Sequence, residues 1–151
     1  MADLEAIRQA IIARMQEIPD IGRVHGHQPW LRQERELKAL YVEEELLCGW
    51  HVRRVATHES APAVGRWVET HLWRIWGVMA MGEGGESERL FDGLIEAIRD
   101  RFREDQDLGG VVASTVTGES AGIQVEQAEP VMFCGVLCHS VQLLLHTVVY
   151  Q

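Results

Sequence analysis

Residues 66–81 read RWVETHLWRIWGVMAM, a run dense in β-branched and aromatic side chains. That composition favours a strand. Alternation puts Trp67, His71, Trp73 and Ile75 on one face and Val68, Leu72, Trp76 and Val78 on the other. Large apolar groups therefore stand on both parities, so both faces of this strand need cover. A chain built around such a strand has to fold as a sheet with something laid against it.

The candidate cover is helical. Ser87 is a candidate N-cap, with Glu88 in the first turn. Leu90, Phe91, Leu94, Ile95, Ile98 and Phe102 then form one apolar stripe to about residue 103. Burying those six side chains contributes on the order of 10 kcal/mol before ordering entropy opposes it. Leu4, Ile7, Ile11, Ile12, Met15 and Ile18 make a second stripe, which predicts a helix over 4–17 with Asp3 as N-cap and Pro19 as the stop.

Further strands are expected. GWHVRRVAT (49–57) alternates Trp50, Val52 and Arg54 against His51, Arg53 and Val55. A loop at 60–63, Ser-Ala-Pro-Ala, makes this strand an antiparallel neighbour of 66–81. Residues 21–28 fit a short strand carrying His25 and His27. Residues 30–47 fit a helix through Leu31, Leu37, Leu40 and Tyr41; from Leu40, with Val42 and Glu44, they fit the start of a strand equally well. Residues 82–86, GEGGE, form a turn, and Leu108-Gly109-Gly110 a chain reversal. Residues 111–128 are polar and broken by Gly118 and Gly122, as expected of a weak hairpin or an extended arm that orders on a neighbour. Residues 131–150 close the chain as a long strand, bent or broken near Gly135. The order helix, strands, helix, strands predicts an α+β fold over residues 1–151: one domain with an antiparallel or mixed sheet flanked by two main amphipathic helices.

Charge and cysteine content narrow the function classes. The formal net charge is −9, which disfavours a sequence-reading nucleic-acid binder. No stretch approaches a membrane-spanning apolar run, and the acids near the N-terminus are unlike a secretory signal. Three cysteines without framework spacing, Cys48, Cys134 and Cys138, suggest reduced thiols and folding in a cytosol.

Motifs for chemistry are scarce. There is no G-x-S-x-G, Walker A or H-E-x-x-H pattern. GEGGE lacks the Gly-Lys-Ser/Thr ending of a phosphate loop, and its glutamates would repel phosphate. Two clusters invite a metal reading: Cys134-x3-Cys138-His139 and His25-x-His27. On an unbroken strand the two cysteines would stand about 13 Å apart, too far to share a zinc whose sulfur bonds are about 2.3 Å. A break at Gly135 would relax that, and small apolar core cysteines are the plainer reading. The sequence thus assigns no catalytic, cofactor or metal residues, while a small metal- or thiol-dependent enzyme stays open as the alternative. Trp67, Trp73 and Trp76 are candidate interface residues, with plain core packing as the competing reading.

The order of the second half is informative as a pattern. W-R-I-W-G (73–77) is followed by a Gly-rich turn, the helix FDGLIEAIRDRFRED (91–105), L-G-G (108–110) and the apolar GVLCHSVQLLL (135–145), with GWHVRRVAT as the preceding strand. This resembles the tail-terminator, or tail-completion, proteins of long-tailed bacteriophages over residues 49–150. The resemblance implies a structural virion protein without catalytic residues, made in the bacterial cytoplasm and residing in the tail or neck. It implies a homohexameric ring that caps the tail tube protein and joins it to the neck or head-completion (stopper) protein, with DNA passing through unbound. Other neck or minor tail roles remain alternatives. In such a ring Glu83 and Glu86 are candidate lumen-lining acids, an ordinary solvated turn being the competing reading.

Overall fold

The computed structural model describes residues 3–29 and 33–151; Trp30 and Leu31, part of the ambiguous segment 30–47, lie outside the described residues. Among the described residues the fold is α+β, with three helices and a six-stranded, mostly antiparallel sheet. The chain runs α1 (Leu4–Gln16), β1 (Arg23–His25), α2 (Glu34–Leu40), β2 (Val42–Glu43), β3 (Leu46–Ala63), β4 (Arg66–Ala80), α3 (Glu86–Arg103), β5 (Gln124–Phe133) and β6 (Val136–Tyr150). The sheet order is β1-β3-β4-β6-β5, with the short β2 also paired to β3. Only β1 runs parallel to its neighbour.

One face of the sheet is covered by α1 and α3. Cys48, Trp50 and Val52 of β3, Trp73, Ile75 and Met79 of β4, and Val141, Leu143 and Leu145 of β6 meet Ile7, Ile11 and Met15 of α1 and Phe91, Ile95, Ile98 and Phe102 of α3. Asp3 caps α1 as expected, its carboxylate accepting from the Ala6 amide at 2.7 Å. Trp50 stacks on Phe91 at 5.6 Å between ring centroids. It lies so flat across β4 that a Cβ on Gly77 would stand 2.2 Å from its ring, so the glycine of W-R-I-W-G admits the indole. The buried indole N–H groups are both satisfied: Trp50 donates to the Ile21 carbonyl at 2.7 Å, and Trp73 to the Thr147 hydroxyl at 3.0 Å. An Arg14–Asp105 ion pair and an Arg101–Glu17 ion pair tie α1 to α3 and the turn after it.

The other face is covered only at its two ends. At one end α2 lies near Tyr41, Leu47, Val78, Phe133 and Cys138, which form a smaller apolar cluster with Leu37, Leu40 and Trp76. At the other end residues 117–119 border an open cavity of about 500 Å³ beside Leu72 and His146, with the Ser120 hydroxyl 3.2 Å from His146 Nδ1. Between them the strand rows Arg53–Arg74–Leu144 and Trp76–Gln142 are half-exposed.

Several expectations need correction. The 60–63 segment is not a loop: β3 runs through Pro62 to Ala63, and the reversal is the tight Val64–Gly65 turn, with Gly65 at φ +76°. Pro62 is tolerated because β3 is an edge here, where the missing N–H faces solvent. The closing segment 131–150 is broken near Gly135 as one of its two readings had it, and the break is a full reversal. Cys134 and Gly135, both at positive φ, turn it back on itself, so β5 and β6 form a hairpin. Segment 111–128 is not an extended arm: its weak-hairpin reading holds at 116–121, where Val116 bridges to Ala121, and Gln124 already opens β5. Val112, Thr115 and Ile123 are buried, and Ser114 bridges to Val148, extending the sheet edge past β5. Ser87 does not cap α3; Gly85 holds the cap position and Glu86 opens the helix. Leu90 is 62% exposed and leaves the apolar stripe.

Candidate interaction surface

The tryptophans separate by burial. Trp73 is fully buried under the helices and belongs to the core, which corrects its assignment as an interface residue. Trp67 is 48% exposed, near the far end of the sheet, where its amide and carbonyl pair with Gln151. Trp76 stands half-buried on the opposite face, stacked on His51 at 5.3 Å. The expected opposition of Trp73 and Trp76 across the strand therefore holds, and of these three Trp67 and Trp76 reach the surface.

Trp76 lines an open cavity of about 270 Å³ with Gln28, Leu37, Tyr41, His51 and Phe133. The Tyr41 hydroxyl lies 3.0 Å from His51 Nδ1. Burial, aided by the positive charge of Arg53, pushes the His51 imidazole down to about 4, so it is neutral at physiological pH. Burial also raises the Tyr41 phenol. A neutral imidazole meeting a neutral phenol satisfies two buried polar groups without charge.

The thiols are placed as apolar fillers. Cys48 and Cys138 are buried, and burial pushes the Cys48 thiol up to about 11, far from the thiolate form that reacts or binds metal. The chain does break at Gly135, yet no group of three or more His, Cys, Asp or Glu side chains is arranged to hold an ion among the described residues. His25 lies 2.6 Å from the Leu40 carbonyl, and His27 is exposed in the bend beyond β1. The pairing of Ser87 Oγ with His139 Nε2 at 2.8 Å anchors the start of α3, since the same hydroxyl accepts from the Gly82 amide.

Electrostatically the two ends of the sheet differ. Glu83, in the turn leaving β4, and Glu86, the first residue of α3, are both exposed. The β2–β3 turn brings Glu43, Glu44 and Glu45 to the same end, because Cys48 pairs with Met79. Comparison with family models and with curated proteins finds no match to this chain.

On the half-covered face, Arg53 of β3 lies directly opposite Arg74 of β4. Arg53 donates to the Gln28 side chain at 2.9 Å, while Arg74 Nε is buried without a hydrogen-bond partner among the described residues. Neither arginine makes a salt bridge among the described residues. Like charges directly opposite are unfavourable, and a guanidinium that lacks a partner is costly. This pair was missed in the sequence, where Arg53 and Arg74 lie in different strands. Their alternation classes alone do not bring them together; the hairpin register does. No helix among the described residues is long and apolar enough to cross a membrane.

Proposed function

We propose that this chain is a structural subunit of a bacteriophage tail, a terminator that closes into a homohexameric ring on the tail tube and presents a surface to the neck or head-completion protein. The observation that carries the reading is the sheet's second face: covered at both ends, open in the middle, and bordered by the exposed β3–β4 hairpin. Half-covered sheets and long unpaired ribbons are costly to a lone domain and useful to one that packs against others. Packing roles are supported by the burial of Cys48 and Cys138 and by a His51 that is neutral and hydrogen-bonded to Tyr41.

The acidic sheet end gives the ring reading a physical role. Six copies would carry six times the −9 charge of one. A lumen bordered by Glu83 and Glu86 would repel the phosphate backbone and let DNA slide without sticking. The deciding experiment is electron microscopy of particles made without this protein. Overlong or headless tails are expected; tails of normal length joined to heads would sink the proposal. Glu83→Gln with Glu86→Gln is expected to slow genome ejection while leaving assembly intact, and an unchanged ejection rate would remove the lumen role alone.

A further inference from the structure

The two borders of the sheet carry opposite charge. On one side β5 is an edge strand of 10 residues, exposed along most of its length, with Glu126 and Glu129 on it. The Glu126 carboxylate accepts from Gln142 at 2.9 Å. Gln142 pairs with Trp76, so that carboxylate lies toward the half-covered face. Glu129 pairs with Ser140, whose partner Val78 points the same way. On the other side β1 pairs with β3 only at Gly49, Trp50 and His51. Residues 52–63 of β3 therefore have an open outer edge among the described residues, and beside it lie Arg53 and Arg74.

The directions agree as well. β6 is antiparallel to both β4 and β5, so β5 runs parallel to β4 and antiparallel to β3. If a second copy is placed beside the first with its sheet continuing in the same sense, its β5 meets this β3 antiparallel, the orientation that pairs most readily. Pro130 has no N–H to give an incoming strand, which confines such a ladder to residues 124–129. Pairing of β5 with another β5 would bring the glutamates of both copies together. The charges thus disfavour a two-fold contact and favour a head-to-tail one, the kind that closes into rings.

We infer that the acidic edge strand β5 of one copy docks on the free β3 edge of the next, with Glu126 and Glu129 reaching Arg53 and Arg74. This rests on the self-assembling reading given above and names its interface. It also supplies the missing anionic partner for the arginine pair.

Charge reversal in the full-length chain tests it by sedimentation velocity, with circular dichroism verifying the fold of every variant. Wild type is expected to self-associate, and to do so more weakly as salt rises from about 50 to about 500 mM. The edge variant E126R/E129R, altered only at exposed positions, is expected to weaken association by about tenfold or more. The complementary variant R53E/R74E should do the same; R53E alone serves if the double variant fails to fold. Mixed in equal amounts, the two variants present acidic against basic edges at every junction of an alternating ring, so association should return.

Variants that sediment like wild type, or a mixture that stays dissociated, would overturn the inference. A wild-type chain that remains monomeric at about 1 mM in low salt would overturn it too. None of these results touches the tail-length experiment, which tests the role in the tail independently. If the arginine reversals change only retention of duplex DNA in a gel, the pair meets phosphate and the docking inference is wrong.

Discussion

On its helix-covered face the sheet buries Trp50, Trp73, Ile75 and Leu143; on the other face the same strands, one residue along, hold Arg53, Arg74, Gln142 and Leu144 half in water. On the first face the buried indole donors have acceptors and the approach of the Trp50 ring to β4 is met by Gly77, although Arg8 Nε, over the Trp73 ring, is buried without a hydrogen-bond partner among the described residues. The second holds Arg74 Nε, likewise without a partner among the described residues, and sets two arginines side by side. Buried apolar side chains are concentrated on one face, and half-exposed polar ones on the other. A single alternating pattern encodes both, because a strand sends successive side chains in opposite directions.

The contrast is most exposed to challenge by truncation. Trp73→Ala is expected to cost about 3–5 kcal/mol, the range for a large buried aromatic, whereas Leu144→Ala on the open face should cost about 1 kcal/mol or less. Urea denaturation of both measures this, and equal costs would erase the distinction between the faces.

His51 stands at the border between the covered end and the open middle, and pH probes it. Its folded-state value, about 4, lies below its ordinary 6.5. As the pH falls below about 6.5 the unfolded chain takes up a proton that the folded chain refuses. The stabilising contribution is thus complete above about 6.5 and declines as the pH falls to about 4, by on the order of 3 kcal/mol at most. His51→Asn, which keeps an acceptor for Tyr41, should flatten that part of the stability profile. A variant with the same slope as wild type would place the titration elsewhere.

Gly77→Ala should cost about 1–3 kcal/mol by displacing the Trp50 ring, with a changed near-ultraviolet dichroism signal. An unaffected aromatic signal would mean the face is looser than its geometry. The smallest effect is expected at Trp67, where Trp67→Ala should alter monomer stability by no more than about 0.5 kcal/mol. A larger loss would place Trp67 with the core.

Periodicity made the main elements legible. The α3 stripe and the 66–81 strand were readable because each buries one regular face, and the break at Gly135 because glycine is suited to the positive φ it adopts. The misreadings share a cause: local composition stood in for tertiary context. Pro62 suggested a loop, yet an edge strand tolerates it. Polar residues 111–128 suggested a weak hairpin or an extended arm; the hairpin forms at Val116 and Ala121, and Val112, Thr115 and Ile123 are enough to dock it where an arm was the other reading. Ser87 suggested a cap, yet its hydroxyl is engaged by Gly82 and His139. The candidate surface was the least legible part. Trp73 looks like Trp67 in composition, and only the helices above it separate buried from exposed. Arg53 and Arg74 become neighbours only once the β3–β4 register is known.

The β3–β4 hairpin has one more consequence. Beyond Trp67, which pairs with Gln151, it continues as two strands to the Val64–Gly65 turn, where Val64 is wholly in solvent and a Cβ on Gly65 would touch nothing. The chain leaves and returns at adjacent points, so extra residues spliced into the tip ask nothing of the interior. That makes the tip the natural place to graft a tag or a foreign epitope, and the place where lineages can lengthen or trim this chain without refolding it.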